Sequence, residues 1–412
     1  MTAMLRGYGR RVVTGTSLLG PAFVAAIAYV DPGNVATNIT GGARYGYLLV
    51  WVCVSASLMG ALVQYLSAKL GVVTGKSLPE MLGDRLPTAA RLAYWVQAEL
   101  IAVATDLAEV VGGAIALYLL FDLPLIAGGV VTALASLLLL AIRDWRGQRR
   151  FEQLVTGLLL LVAFGFVAGL FVAPPSPTGA VGGLLPRFDG GGSVLLAAGI
   201  LGATVMPHAV YLHSALARDR YGRLSSRGRR RVLVSTRYDV AIAMFVAGAV
   251  NVGMLLLAAS ALHGTVGTDS IIGAHQAIGG ALGGVIALLF ALALLGSGLA
   301  STSVGCYAGA VIMAGMLRRR VPLVLRRTVT ALPALVVLGL GLDPTWALVI
   351  SQVVLSMGIP FALVPLVSYT ARRSLMGTHA NAPATTLLAG AVAAGIIALN
   401  VALLALTVSG GA

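Results

Sequence analysis

Charged residues are scarce in this chain. Asp, Glu, Lys and Arg make up 10% of its 412 residues and aromatic residues 6%, whereas 58% are hydrophobic. A soluble domain carries about a quarter of its residues as charges. This composition excludes an ordinary water-soluble globular protein.

Cysteine and histidine are also rare, with two and five copies. Cys53 and Cys306 lie in apolar segments without a CxxC pairing or a neighbouring histidine, so we interpret them as packing residues. The chain has no HExxH sequence, nucleotide-binding loop or nucleophile motif. We therefore expect no enzymatic activity and no permanently bound cofactor.

Apolar segments recur along the whole chain, and each is long enough to cross about 30 Å of hydrocarbon. They predict an all-α integral membrane protein with eleven transmembrane helices and no soluble domain. The predicted spans are residues 17–40, 46–68, 92–120, 124–142, 153–173, 194–217, 238–262, 281–315, 328–342, 346–370 and 385–409.

The basic residues follow these spans in a regular way. The net charge is +14, and all Lys and Arg except Arg44 and Arg187 fall in alternate connecting segments. By the positive-inside rule, this distribution predicts a bacterial cytoplasmic-membrane protein with a cytoplasmic amino terminus and an extracytoplasmic carboxyl terminus. The basic run 218–237 is expected to meet membrane lipids, and no nucleic-acid partner is predicted.

Two spans contain residues that a continuous helix would not choose near its middle. Span one reads AYVDPGN at 28–34, and span six reads ATVMPH at 203–208. Because proline removes a backbone donor, we expect non-helical backbone at 31–34 and 203–207, facing each other across a cavity. Matching breaks predict an inverted-repeat transporter with repeats at 12–173 and 194–370, and an additional helix at 385–409.

The two breaks carry candidate cation ligands. An ionised Asp31 inside hydrocarbon requires a partner or a function, although Asp is also a favoured helix N-cap. Together with the amide of Asn34 and the carbonyls of Ala28 and Ala203, it could supply oxygen ligands. Met206 would add a thioether, a ligand that favours softer ions over Mg²⁺ and Ca²⁺, although methionine is usually a core filler.

Span three carries three carboxylates. The spacing of Glu99, Asp106 and Glu109 places them near one face of a helix. They could form a proton relay, or they could form structural ion pairs with Arg326 and Arg327 at the start of span nine. These two interpretations are compatible. His208 could titrate near neutral pH or remain a neutral, hydrogen-bonded residue.

These motifs resemble the Nramp family, the natural resistance-associated macrophage proteins, over essentially the whole chain. The similarity rests on Asp31-Pro32-Gly33-Asn34 and Met206-Pro207-His208, and extends to the segments 41–46, 97–109 and 211–214. Members of this family are proton-coupled divalent metal transporters with a leucine-transporter-type fold.

The resemblance implies a transported Mn²⁺ or Fe²⁺ ion, a coupled proton and no obligatory protein partner. The implied metal ligands are the side chains of Asp31, Asn34 and Met206, the carbonyls of Ala28 and Ala203, and Gln352 in one conformation. The implied proton pathway comprises Asp31, Glu99, Asp106, Glu109, His208, Arg326 and Arg327. Residues expected to support the site without binding metal are His208, His213, Pro32, Gly33 and Pro207.

Two other transporter classes fit the sequence less well. A sodium-coupled amino-acid symporter of the same architecture would hold a substrate carboxylate at the helix amino ends. Asp31 disfavours an anionic substrate, because the two negative charges would repel each other. A channel would more usually show a pore loop or an oligomeric filter than paired breaks within helices.

Overall fold

The computed structural model describes residues 20–146, 148–222, 225–318 and 321–408. Over these residues the secondary structure consists of α-helices and short 3-10 turns, without strands. The beginning of predicted span one, at 17–19, and of the first predicted repeat, at 12–19, lies outside the described residues, as does residue 409.

Eighteen α-helices make up the described chain, with 3-10 turns at Ala28–Val30 and Gly377–His379. They are α1 (Pro21–Ile27), α2 (Pro32–Tyr45), α3 (Val50–Thr74), α4 (Leu78–Arg85), α5 (Thr88–Phe121), α6 (Leu125–Arg146), α7 (Gln148–Val167), α8 (Gly169–Val172), α9 (Pro177–Gly182), α10 (Gly190–Thr204), α11 (Pro207–Tyr221), α12 (Ser226–Ala261), α13 (Ile271–Leu282), α14 (Gly284–Met316), α15 (Leu323–Gly339), α16 (Pro344–Ala371), α17 (Arg373–Met376) and α18 (Pro383–Val408).

Every predicted span coincides with a helix or with a broken pair of helices. Spans one, five and six correspond to the pairs α1–α2, α7–α8 and α10–α11. Within the described residues, eight helical segments are long and apolar enough to cross a membrane by length and composition, and shorter apolar helices accompany them. The structure thus agrees with the predicted all-α, multi-pass fold.

Some boundaries differ from the predicted ones for local reasons. Span seven begins at Ser226 rather than near 238, because the Ser225 side chain accepts a hydrogen bond from the Gly228 N–H and caps an earlier start. Span eight begins at Gly284 rather than near 281. Gly283 has a positive φ of 92° and separates α13 from α14, a conformation that favours glycine.

The broken span six lies at the centre of the bundle. In the most apolar 18-residue stretch of span six, 89% of the residues are buried within the protein, whereas 28% are buried in the corresponding stretch of α18. Helix α10 contacts α16, α2 and the 3-10 turn before Asp31, and α11 contacts α1, α3 and α14. The two broken spans therefore meet in the core, and α18 lies at the periphery, as expected for an additional helix. The inverted-repeat relation itself stays a prediction.

Candidate functional site

The first break is a helix start in the middle of a span. Asp31 has an extended backbone, with φ −77° and ψ 171°, between the 3-10 turn and α2. Its Oδ1 accepts a hydrogen bond from the Asn34 N–H at 2.7 Å, and Pro32 occupies the first helical position. Asp31 is thus an N-cap, the structural role considered from the sequence.

The first break lies earlier along the chain than predicted, and the second is narrower. Gly33 and Asn34 are helical rather than unwound, and Ala203 still belongs to α10. The reason is that each proline starts a new helix instead of only ending the old one, since its missing N–H is not required at the first position. The 3-10 turn Ala28–Val30 and Asp31 separate α1 from α2, and Val205 and Met206 separate α10 from α11.

At the second break, α10 ends with Thr204. Val205 leaves helical geometry with ψ 62°, and Met206 is extended with ψ 121°. Pro207 is the first residue of α11, and no side chain caps this helix start. The Met206 side chain is fully buried next to Pro207, at the level where the two helices separate.

The two predicted carbonyl ligands share a sequence relation to these prolines. In a continuous helix, the carbonyl of residue i accepts from the N–H of residue i+4. For Ala28 and Ala203 that residue would be Pro32 and Pro207, neither of which has an N–H. Both carbonyls therefore lack their helical donor for the same covalent reason.

The neighbouring carbonyls of the first turn have side-chain partners. Asn251 Nδ2, from α12, donates to the Tyr29 carbonyl at 2.6 Å. Ser297 Oγ, from α14, donates to the Val30 carbonyl at 2.5 Å. Two carbonyls that have no regular α-helical hydrogen bond at the break thus accept hydrogen bonds from side chains of other helices.

Several buried polar atoms around the breaks have no hydrogen-bond partner within the described part of the chain. They are Asp31 Oδ2, Asn34 Oδ1 and Nδ2, Thr204 Oγ1, His208 Nε2 and Gln352 Oε1. An unsatisfied buried polar group costs about 1–3 kcal/mol, and more when it is charged. Such a concentration at one level of the bundle indicates that a polar or charged ligand completes the site.

Gln352 reaches the site from α16. A Cβ added to Gly33 would overlap the Gln352 carboxamide, which shows that this side chain lies directly over the first turn of α2. Asp31, Asn34, Met206 and Gln352 are all 0% exposed. These four side chains are therefore closed off from solvent in this conformation.

The donor set is chemically mixed. It combines one carboxylate, two carboxamides and a thioether, all buried, with the carbonyls of Ala28 and Ala203 at the ends of the broken helices. Among the described residues, no three His, Cys, Asp or Glu side chains come together in a way that could hold a metal. A cation here would thus depend on amide, carbonyl and sulfur atoms in addition to Asp31, a combination that suits a transition metal better than Ca²⁺ or Mg²⁺.

The carboxylates of α5 meet the arginines of α15, as the second interpretation of the sequence required. Arg327 Nη1 lies 2.8 Å from Asp106 Oδ1, and both side chains are nearly fully buried. Arg326 Nη2 lies 3.1 Å from Glu99 Oε1. Structural ion pairing is therefore present, and the relay role stays a prediction.

Glu109 differs from the other two carboxylates. It is fully buried and neither of its oxygens has a hydrogen-bond partner. Gly112, one turn further along α5, packs directly against Pro32 at the first break. Glu109 thus lies between the Asp106–Arg327 pair and the level of Asp31.

His208 lies beside the site with a defined ring orientation. Its Nδ1 is 3.3 Å from the Thr105 hydroxyl, which itself donates to the Ile101 carbonyl at 2.9 Å. When the hydroxyl donates to the Ile101 carbonyl, its oxygen accepts from His208 Nδ1–H, and Nε2 then carries the lone pair. A neutral, hydrogen-bonded His208 is consistent with the supporting role expected from the sequence.

His213 lies further from the breaks than His208. Its Nδ1 is 2.7 Å from Gln64 Oε1, and Gln64 Nε2 donates to the Tyr29 hydroxyl at 2.6 Å. His213 therefore contacts the first turn only through these two side chains.

Sequence reasoning missed Asn251, Ser297, Gln64 and Thr204. Asn251 and Gln64 could have been found as single amides within apolar spans, where polar groups need partners. Ser297 offers no such signal, because serine satisfies itself within a helix and is frequent in transmembrane segments.

The fold and this site define a class of protein: a multi-pass membrane protein with two discontinuous helices around a buried polar pocket, the architecture of a secondary transporter. The family model described as natural resistance-associated macrophage protein-like matches residues 22–406. The chain belongs to this family, and the family assignment made from the sequence motifs is confirmed.

Named relatives and solved structures support the same placement. The divalent metal cation transporter MntH of Mycobacterium tuberculosis (strain CDC 1551 / Oshkosh) is 60% identical over 398 residues, which cover 96% of this chain and 93% of the relative. The crystal structure of the Eremococcus coleocola manganese transporter, in complex with an aromatic bis-isothiourea substituted compound, matches with a TM-score of 0.84 at 33% identity, covering 93% of this chain and 86% of that chain.

A more distant structure shares the fold alone. A nucleobase-cation-symport-1 family transporter in a closed conformation matches with a TM-score of 0.58 at 17% identity, over 85% of this chain and 78% of that chain. The mycobacterial relative and the Eremococcus protein carry the names of transporters rather than enzymes, which confirms the prediction that the chain is not an enzyme.

Proposed function

We propose that this protein imports Mn²⁺ or Fe²⁺ across the bacterial cytoplasmic membrane by alternating access, coupled to proton movement. One observation carries the proposal. A carboxylate oxygen of Asp31 and an amide oxygen of Asn34, both without a partner among the described residues, and the buried thioether of Met206 lie at the breaks of two discontinuous helices that contact each other. The names of the relatives, a divalent metal cation transporter and a manganese transporter, point to the same substrate class.

Asp31 would serve the helix and the ion at once. Its Oδ1 accepts from the Asn34 N–H, and its buried Oδ2 has no hydrogen-bond partner among the described residues. The ion would be bound by Asp31, Asn34 and Met206 with the carbonyls of Ala28 and Ala203. Gln352, which already lies over Gly33, would complete the shell in the closed conformation.

Met206 would provide the selectivity. Ca²⁺ and Mg²⁺ favour shells of oxygen alone, whereas thioether sulfur suits softer ions. A sulfur ligand would thus lower the affinity of the abundant hard cations relative to Mn²⁺ or Fe²⁺.

The coupled proton would leave by a separate path along α5. We assign its acceptors to Asp31, Glu109 and Asp106, with Glu99 nearer the predicted cytoplasmic end. Arg327 and Arg326 pair with Asp106 and Glu99 and would keep these carboxylates ordered. His208, hydrogen-bonded to Thr105, would line the junction between the ion site and this path.

The test is Mn²⁺ uptake into proteoliposomes with and without an inward proton gradient, with Ca²⁺ and Mg²⁺ as competitors. Wild type should accumulate Mn²⁺, faster with the gradient, and Met206→Ala should lose discrimination against Ca²⁺. The matched control is Met254→Ala, which removes an equally buried methionine in the core of α12. Both changes should cost about 2–5 kcal/mol of stability, but only the first should change selectivity.

Three results would contradict the proposal. If wild type takes up no divalent metal, the substrate class is wrong and amino-acid uptake with Na⁺ must be measured instead. If Ca²⁺ competes equally before mutation, or if both methionine variants change selectivity alike, Met206 is not the selective ligand.

A further inference from the structure

Two buried side chains hold the backbone turn that precedes Asp31. The turn Ala28–Val30 releases three consecutive carbonyls from regular helical bonding at the centre of the bundle. Asn251 binds the Tyr29 carbonyl and Ser297 binds the Val30 carbonyl, and both donors are 0% exposed. The carbonyl of Ala28 remains, whose helical donor is absent because Pro32 has no N–H.

The Val30 carbonyl has lost its own helical donor to Asp31. In a continuous helix it would accept from the Asn34 N–H, but that N–H donates to Asp31 Oδ1 at 2.7 Å. Ser297 therefore replaces a hydrogen bond that the capping of α2 has removed. The cap and the serine are therefore linked. Asp31 takes the Asn34 N–H from the Val30 carbonyl, and Ser297 supplies that carbonyl with a new donor.

Asn251 is itself fixed on its other side. Its Oδ1 accepts from Asn38 Nδ2 at 2.9 Å, and the Cys53 thiol lies 3.7 Å from Asn38 Oδ1. With its acceptor engaged by α2, the Asn251 amide can present only its N–H₂ group to the turn. The orientation of this donor is thus determined by the helix that Asp31 caps.

We infer that Asn251 and Ser297 are positioning residues for metal binding: by occupying the carbonyls of Tyr29 and Val30, they hold the turn so that the Ala28 carbonyl faces the ion. This inference rests on the proposed function. Groups that orient the ligands of a metal without touching it affect metal affinity by about 10–100-fold when they are removed. If Ser297 is lost, the Val30 carbonyl must find another partner, and the turn rotates away from its ligand geometry.

The experiment measures Mn²⁺ binding to the full chain in lipid nanodiscs by calorimetry, and the Mn²⁺ electron paramagnetic resonance spectrum of the bound ion. Ser297→Ala should weaken binding about tenfold and change the spectrum, and Ser297→Thr, which restores a hydroxyl, should recover both. Ser303→Ala is the matched control. Ser303 is also buried on α14, but its hydroxyl bonds only to the Leu299 carbonyl of its own helix.

The outcomes separate this inference from the proposed function. If wild type binds Mn²⁺ and Ser297→Ala binds with the same affinity and spectrum, the inference is overturned while the proposed function stands. If wild type binds no Mn²⁺, the proposed function has failed, and the inference with it. Should Ser297→Ala not fold, Asn251→Leu removes the other donor, and unchanged Mn²⁺ binding in that variant would equally overturn the inference.

Discussion

Two ion pairs of almost equal length lie in opposite environments. Arg327 and Asp106 are 2.8 Å apart with side chains 2% and 3% exposed. Arg44 and Asp269 are 2.7 Å apart with side chains 50% and 46% exposed. Because distance is matched, the pairs differ mainly in the solvent around them, which determines what the loss of one partner costs.

We predict that Arg327→Met lowers the free energy of unfolding by about 3–5 kcal/mol, because it leaves the Asp106 carboxylate buried and without its partner. Replacing both residues, Arg327→Met with Asp106→Leu, should recover much of this loss, with a coupling of about 1–3 kcal/mol between the two positions. In the corresponding cycle of Arg44→Met and Asp269→Leu, the coupling energy of the exposed pair should be about 0–1 kcal/mol.

The assay is reversible unfolding of the purified protein in mixed micelles, followed by circular dichroism for all six variants. The reasoning is refuted if Arg327→Met costs no more than Arg44→Met. It is also refuted if the two losses at the buried pair simply add, because then neither charge depends on the other. Raising the ionic strength should weaken the exposed coupling more than the buried one, since salt screens solvated charges more strongly.

Two further predictions concern the site and the predicted cytoplasmic end. Gly33→Ala should weaken Mn²⁺ binding in calorimetry on the order of tenfold, because its Cβ would displace Gln352, while Gly390→Ala, with open space around it, should not. At α4, burial alone would raise the pKa of Glu80. Hydrogen bonds from the capping Ser77, together with the hydrogen bond and charge of Arg218, outweigh this effect and bring the pKa below its ordinary value. At pH values above the ordinary pKa of Glu, the ionised Glu80 thus stabilises α4. This stabilisation is lost as the pH falls through the lowered pKa of Glu80. Relative to the intrinsic exchange rate at each pH, protection of the α4 amides should fall on acidification in wild type, and Glu80→Gln should show the lower protection already at neutral pH; equal protection in both proteins at neutral pH would refute this.

The sequence allowed most of the fold to be predicted, because its signals are local. The apolar spans follow from the cost of unsatisfied backbone groups in hydrocarbon, which only continuous helices avoid. The breaks follow from Pro32 and Pro207, whose effect on the backbone is covalent. The position of the first break and the width of the second were predicted wrongly, because a proline that ends one helix is also well suited to begin the next.

The candidate site, like the fold, could be predicted from the sequence only in part. Asp31, Asn34 and Met206 could be selected from the sequence, since each lies within two residues of a proline in a span where polar or soft ligands are unusual. Their roles as ligands stay predictions. The pairing of Arg327 with Asp106 rather than Glu99 depends on how α15 packs against α5, and spacing within α5 alone does not select between the two carboxylates.

By itself, the sequence determined that this chain crosses a membrane repeatedly and carries two interrupted helices with candidate cation ligands at the interruptions. Tertiary structure alone decided which groups surround those interruptions. Asn251 and Ser297 reach the first turn from positions 222 and 267 residues away from the carbonyls they bind, and Gln352 arrives from α16. Backbone conformation responds to adjacent residues, whereas the satisfaction of a released carbonyl depends on whichever helix packs against it.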